Sequence, residues 1–171
     1  MIPRIFSDTF AAILHFKGRI LFVAAVLIAL RCFWLWQPER QVRLHQQHFL
    51  EAAQDRDWAK YYGFFDDGFR LPTGQDKAWT LQQSREVLGQ FITLKINAPD
   101  VTITMEGTTG RVRALLRIEG SGSELAQAAM MAVNESKEPF EFTWKRGSWM
   151  PWDWRLVAAD HPLMHVSTEM E

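Results

Sequence analysis

The chain has 171 residues, of which 47% are hydrophobic and 23% are charged, so it can bury a core and is not wholly disordered. Its formal net charge of -1 argues against a nucleic-acid-binding protein that works through bulk charge. A single cysteine excludes an intrachain disulfide framework and a zinc ribbon of paired cysteines. We therefore expect no nucleic-acid partner, no cofactor and no metal.

An apolar run near the N-terminus predicts a membrane anchor. Residues 20–30 read ILFVAAVLIAL, and the apolar character resumes after Arg31 and continues to Trp36. The 17 residues from 20 to 36 reach the lower length limit of a spanning helix. Arg31 lies near the end of this run, where its long side chain can reach the headgroups. The residues expected at the membrane interface are Lys17, Arg19, Arg31, Trp34 and Trp36.

Three other interpretations of this run stay open. A cleaved signal peptide needs small residues before the cut, and Leu27-Ile28-Ala29 fits poorly because only the last of the three is small. Lipid modification at Cys32 would need a small residue where Arg31 stands. A buried helix of a water-soluble protein would fit the short length.

The preferred interpretation is a single-pass, bitopic signal-anchor protein. It has a short cytoplasmic tail over residues 1–19, an anchor over residues 20–36 and a large domain over residues 39–171. Basic residues directly before the run favour a cytoplasmic N-terminus, so we expect the large domain on the non-cytoplasmic side.

Helical patterns open the large domain. Residues 39–55 read ERQVRLHQQHFLEAAQD, with apolar residues near helical spacing and no Gly or Pro. Asp57 is placed to cap a short second helix rich in aromatic residues, which Asp66-Asp67-Gly68 ends. A third helix is expected to begin at Thr80, in a capping box with Gln83, and to end near Leu94.

Beyond Pro99 the hydrophobic period changes to two, which predicts four antiparallel strands with one apolar and one mostly polar face. The strand patterns cover residues 101–105, 111–119, 140–145 and 152–157. An inserted segment, residues 120–138, interrupts them and carries a helical pattern that Ser123 can cap. The order of these elements predicts an α+β fold.

Three features resemble the nuclear-transport-factor-2-like (NTF2-like) superfamily: the helix over 39–55, the sequence Phe64-Phe65-Asp66-Asp67, and the closing Trp154-Arg155-Leu156-Val157. The resemblance covers residues 39–171 and implies helices packed on a curved antiparallel sheet that forms a cone, often with a pocket at its wide end. The inserted segment is a departure from that pattern. The superfamily contains isomerases, dehydratases, ligand carriers and non-catalytic protein-binding domains, so the fold leaves the function open.

The resemblance also implies candidate site residues, because enzymes of the superfamily use a Tyr, Asp or His inside the cone. The catalytic candidates are Asp66, Asp67, Tyr62 and His48. The candidates for binding a ligand or partner are Tyr61, Trp149 and Trp152. Each has a simpler interpretation: Asp66 and Asp67 as a turn, the tyrosines as core, and Trp152 and Trp154 as core with Trp149 exposed at a hairpin tip.

The histidines form no complete metal site in the sequence pattern. His45 and His48 stand three residues apart on the first helix, but no third ligand is placed by spacing, so we expect a solvated helix face. His161 and His165 are expected to be exposed in the C-terminal tail.

Two classes of function remain. The first is a non-enzymatic, membrane-anchored interaction or scaffold domain, monomeric or weakly associating, which binds a protein partner at the membrane. The alternative is a small-molecule-binding or lyase/isomerase-type domain that uses the cone pocket. The sequence has no strong catalytic signature, which favours the first class.

Overall fold

The computed structural model describes residues 22–23, 26–27 and 36–166. The chain separates into two compact units, Met1–Gln37 and Pro38–Glu171. In the first unit, residues 22, 23, 26 and 27 are helical, and Trp36 is exposed. Within the described ranges, no helix is both long and apolar enough to cross a membrane. The predicted tail, most of the predicted anchor, and Lys17, Arg19, Arg31 and Trp34 lie outside the described residues.

The second unit is an α+β domain, as predicted. Its helices are α1 (Pro38–Gln54), α2 (Trp58–Gly63), α3 (Lys77–Gly89), α4 (Glu124–Glu135) and α5 (Pro162–Val166). Its strands are β1 (Phe91–Glu106), β2 (Thr109–Gly122), β3 (Phe140–Arg146) and β4 (Trp154–Asp160). The four strands form one antiparallel sheet in the order β1-β2-β3-β4, and α4 occupies the inserted segment between β2 and β3.

Side-chain caps determine where three of the helices begin. Asp57 accepts a hydrogen bond from the Lys60 backbone N–H, and Ser123 accepts one from Ala126, so both predicted caps are confirmed. The predicted capping box at Thr80 is wrong. The N-cap of α3 is Asp76, which accepts from the Trp79 N–H at 2.9 Å. The Thr80 hydroxyl instead donates to the Asp76 carbonyl oxygen.

The predicted end of the third helix near Leu94 is also wrong, because α3 ends at Gly89 and β1 begins at Phe91. Phe91 is buried and pairs with Gly122, so strand pairing outweighs the local helical pattern. Strand β1 also continues through Pro99 instead of starting after it. The register shifts between Asn97 and Asp100, and this bulge accommodates a residue that has no N–H for the ladder.

The core lies between α1 and the inner face of the sheet. Helix α1 buries Val42, Phe49, Ala52 and Ala53 against strand residues that include Trp144 and Leu156. Trp144 is fully buried, and its indole N–H donates to the Gln46 side-chain oxygen at 2.9 Å. This bond satisfies a polar group that burial would otherwise leave unpaired.

The opposite face of the sheet is polar, as predicted. Cross-strand neighbours Arg113 and Glu141 form an ion pair at 2.9 Å between half-exposed side chains. A pair this exposed contributes little to stability, about 0–1 kcal/mol. The stability of the domain therefore comes mainly from the inner face.

The close approach of α1 to the sheet at Gly110 predicts a selective loss of stability. A Cβ at Gly110 would lie 2.8 Å from Cγ2 of the buried Val42. We expect Gly110→Ala to lower the free energy of unfolding by about 1–3 kcal/mol through overpacking, measured by urea denaturation. The control is Gly89→Ala at the end of α3, where a Cβ meets nothing within 4 Å and stability should stay equal or rise. Equal effects of both variants would contradict the close packing described for α1.

Candidate functional site

A cavity opens where the helices separate from the inner face of the sheet. Its inner chamber has a volume of about 200 Å³. Helix α1 supplies Phe49 to its wall, α2 supplies Tyr61, and the sheet supplies Phe142, Leu156 and Ala159. The lining is almost wholly aromatic and aliphatic, which is typical of sites for small apolar molecules.

A second cavity of about 370 Å³, here called the outer chamber, shares part of its wall with the inner chamber. It lies among α3, α4 and α5, which supply residues such as Trp79, Ala129 and Leu163. The two chambers share the wall residues Leu71, Thr80, Ser84, Leu88, Ile118, Val133, Phe140 and Met164. The inserted helix α4 therefore forms part of the wall of the outer chamber.

Two hydroxyl groups meet inside the cavity. The Tyr61 Oη lies 3.2 Å from the Ser84 Oγ, a hydrogen bond in which either atom can be the donor. Burial raises the pKa of Tyr61 to about 12, and the hydrogen bond from Ser84 offsets part of that rise. Tyr61 is therefore a neutral phenol at physiological pH.

The described lining of the two chambers contains few groups that can exchange protons. Among the described residues that line either chamber, Tyr61 is the one with an ionisable side chain. Efficient proton transfer needs a group whose pKa lies near the working pH, and Tyr61 titrates far above it. The arrangement can hold a molecule and donate a hydrogen bond to it.

The structure places Asp66, Asp67 and Tyr62 outside this cavity, around a polar surface groove of about 470 Å³. Asp66 accepts a hydrogen bond from the Gly68 N–H and so closes the turn after α2. Asp67 is fully exposed and pairs with Lys77 at 3.0 Å. The Lys77 ammonium also lies 3.9 Å from the centre of the half-exposed Tyr62 ring.

The two histidines of α1 do not face each other across a site. His48 is exposed. His45 lines a second surface groove, of about 460 Å³, where its Nδ1 lies 2.8 Å from the Gln41 carbonyl oxygen and its Nε2 lies 2.9 Å from the Trp152 carbonyl oxygen. Across the described part of the chain, no three His, Cys, Asp or Glu side chains are close enough together to hold a metal ion.

The tryptophans of the β3–β4 loop have two different environments. Trp149 and Trp152 are 75% and 60% exposed, whereas Trp154 is buried at the start of β4. The loop is held by the hydrogen bond from the Gly147 N–H to the Asp153 carbonyl and by the Trp154 indole N–H, which donates to Pro151. Its exposed rings are therefore presented on an ordered turn.

The prediction that His161 is exposed is wrong, because it is 1% exposed. Its ring stacks on Phe140 with centroids 3.7 Å apart. Its Nδ1 accepts a hydrogen bond from the Leu163 N–H, and its Nε2 lies 3.1 Å from the Glu138 carbonyl oxygen. These contacts join the end of the inserted segment to the start of α5, which supplies Leu163 and Met164 to the outer chamber.

Ser84 is the site residue that the sequence analysis did not identify. A signal for it exists, because Leu81, Ser84 and Leu88 lie at positions i, i+3 and i+7 on one face of α3. A single hydroxyl within an apolar stripe indicates a partner inside the core. Here that partner is Tyr61.

Comparison with known proteins shows the fold of the domain. No family model and no curated protein sequence matches the chain. Among solved structures, it is similar to an NTF2-like protein of unknown function from Pseudomonas putida KT2440, with a TM-score of 0.53 and 13% identity over 71% of this chain and 82% of that one. This domain has an NTF2-like fold.

Two further structures are similar at the same level. A conserved protein from Planctomyces limnophilus DSM 3776 has a TM-score of 0.54 and 17% identity, covering 72% of this chain and 93% of its own. Bdellovibrio bacteriovorus Bd1075 has a TM-score of 0.53 and 13% identity, and the match covers 71% of this chain but 38% of Bd1075. At these identities the likeness concerns the NTF2-like fold alone.

The burial of Tyr61 predicts that its phenol ionises at an unusually high pH. The chain has two tyrosines, so an absorbance titration of the folded protein can separate them by substitution. We expect a step with a midpoint at about pH 12 that Tyr61→Phe removes and the control Tyr62→Phe leaves unchanged.

The raised pKa of Tyr61 also makes the stability of the fold depend on pH. Above pH 10 the unfolded state loses the Tyr61 proton first, so the free energy of unfolding should fall by about 1.4 kcal/mol per pH unit until the folded phenol also ionises. Tyr61→Phe should remove this contribution to the slope. A slope that is unchanged in Tyr61→Phe would contradict the buried, neutral phenol.

Proposed function

We propose that residues 38–166 form a non-catalytic binding domain for a small, uncharged and largely apolar molecule. The observation that carries this proposal is the inner chamber of about 200 Å³, whose described lining residues include no charged side chain and one hydrogen-bonded pair of hydroxyls. A molecule in this chamber would be held by apolar burial and oriented by Tyr61 or Ser84.

The size of the chamber supports a ligand rather than a packing defect. Protein interiors are normally close-packed, with few voids larger than a water molecule. The inner chamber, at about 200 Å³, is much larger than such gaps. Apolar cavities of about 150 Å³ are known to bind benzene, so a molecule of that size fits here.

The absence of charge inside the cavity, among its described lining residues, supports binding over lyase or isomerase chemistry. Those reactions need an acid or base in contact with the substrate. The carboxylates Asp66 and Asp67 lie at the surface and contact a turn N–H and Lys77. The likeness to NTF2-like structures supports the cone-shaped fold and adds nothing about its chemistry.

Phenol is a suitable first probe, since it is small enough for the inner chamber and has one hydroxyl. Its binding to the full chain is measured by isothermal titration calorimetry. Ala159 lines the inner chamber, and Ala158 is its neighbour on β4, on the other face of the sheet. We expect Ala159→Leu to weaken phenol binding by more than about ten-fold and Ala158→Leu to leave it unchanged.

Two results would count against the proposal. Phenol affinity that is equal in Ala159→Leu and Ala158→Leu would place the binding elsewhere on the chain. Failure of phenol to bind the unsubstituted protein, together with native mass spectrometry that shows no co-purified molecule, would remove the ligand-binding function.

A membrane-anchored interaction domain is the second candidate. It is favoured by the exposed Trp149 and Trp152, because exposed and ordered tryptophans are typical of binding surfaces. The predicted anchor over residues 20–36 would concentrate such a surface at a bilayer. In this proposal the bilayer holds the chain, and a protein partner contacts the β3–β4 loop.

The predicted membrane anchor over residues 20–36 can be tested separately. The full chain, expressed in bacteria, should stay in the membrane pellet after extraction at alkaline pH, because a spanning helix is not released by charge. The matched control substitutes two central residues of the run, Ala25→Arg and Leu27→Arg, which should release the chain to the supernatant. Release of the unsubstituted chain would contradict the anchor.

A further inference from the structure

We propose that the preferred ligand carries one uncharged oxygen between two apolar arms, as a dialkyl ketone does. This inference rests on the proposed function and adds the shape and chemical class of the ligand. It follows from where the hydroxyl groups lie in the cavity, from the charge of its walls and from the sizes of the two chambers.

The hydroxyl groups of the cavity lie at or beside the wall that its two chambers share, whereas the outer chamber alone also has Trp79 and Gln83 in its wall. Thr80 and Ser84 belong to the wall that both chambers share, and Tyr61, which bonds Ser84, belongs to the inner chamber. The rest of that shared wall is apolar, with residues such as Leu88, Val133 and Phe140. A ligand that uses the hydroxyls therefore places its oxygen at the boundary.

The hydroxyl pair has one hydrogen left to donate. Tyr61 and Ser84 have one O–H each, and their mutual hydrogen bond uses one of the two. The Thr80 hydroxyl donates to the Asp76 carbonyl. An acceptor such as a carbonyl oxygen would complete this arrangement, whereas a hydrocarbon would leave the spare donor unpaired.

Apolar volume lies on both sides of this boundary. The inner chamber holds about 200 Å³ and is walled by Phe49, Phe142 and Leu156, and the outer chamber holds about 370 Å³ beneath α4 and α5. A molecule with its oxygen at one end can bury a long chain in one chamber alone. A molecule with a central oxygen fills both.

The ends of the ligand have to be uncharged. The described residues that line the two chambers include no Asp, Glu, Lys, Arg or His. A carboxylate or ammonium in either chamber would lose its hydration without gaining a partner. This excludes a fatty-acid anion with its headgroup inside the cavity.

The test compares two ketones of identical formula. Dibutyl ketone has its carbonyl in the centre, and heptyl methyl ketone has it near one end, so their apolar surfaces are closely similar. Both are titrated into the full chain by calorimetry. We expect dibutyl ketone to bind about two- to twelve-fold more tightly, the range that one hydrogen bond to a neutral group supplies.

Substitutions in the cavity show which side chains cause the preference for dibutyl ketone. Removing one hydroxyl leaves the other free to donate, so Tyr61→Phe and Ser84→Ala should each keep part of the preference. The double variant, with both substitutions, should lose the preference for dibutyl ketone. Ala129→Trp fills the outer chamber and should weaken both ketones while leaving phenol binding intact. Its neighbour Ala128 is exposed on α4 and lines neither chamber, so Ala128→Trp is the control.

The outcomes separate this inference from the proposed function. If phenol binds and the two ketones bind equally, or the terminal ketone binds more tightly, the central-oxygen inference is overturned and the binding domain stands. If phenol binds and neither ketone does, the two chambers do not hold one ligand and the inference is again overturned. If neither phenol nor the ketones bind, and native mass spectrometry shows no co-purified molecule, the proposed function fails as well.

Discussion

The ring of Phe49 joins the helical layer to the sheet, and the shape of the cavity depends on this contact. Phe49 stacks on Tyr61 at 4.8 Å and meets Phe65, Phe142 and Trp144 edge-on at 5.7–5.9 Å. Aromatic rings in these arrangements add about 0.5–1.5 kcal/mol per pair beyond the area they bury. The cluster holds α1 and α2 against β3. Four of its rings, Phe49, Tyr61, Phe65 and Phe142, also form part of the wall of the inner chamber.

The same cluster places the hydroxyl of Tyr61. The ring is stacked on Phe49, and its oxygen lies within hydrogen-bond distance of Ser84 on α3. A buried phenol without a partner would destabilise the fold, so the pair is a structural requirement as well as a feature of the site. The stability of the fold and the proposed orientation of a ligand thus depend on the same two oxygen atoms.

Much of the fold could be predicted from the sequence. The period-two pattern in β2, β3 and β4 and the caps at Asp57 and Ser123 follow local rules, and the structure contains them. The start of β1 could not be predicted locally, because residues 91–94 become a strand only by pairing with β2. His161 was missed for a similar reason, since its burial depends on Ser136 and Glu138, more than twenty residues earlier in the chain.

The site was harder to predict than the fold. The resemblance suggested Tyr, Asp and His residues near the second helix, and of those Tyr61 lines the cavity. Tyr61 and Tyr62 are neighbours in a six-residue helix, and the sequence around them does not show which ring faces inward. That choice depends on the position of Phe49 and on the Ser84 hydroxyl, neither of which a local pattern contains.

Helix α3 has an unusual place in this domain. None of its thirteen residues is buried, although Leu81 and Leu88 pack partly against the core. It covers the cavity rather than filling it, so little apolar surface holds it in place. Segments with few buried contacts open at a lower free energy than the rest of a domain. The backbone amides of α3 should therefore exchange with solvent before those of α1, and a molecule could enter the cavity by a local opening that leaves the Phe49 cluster intact.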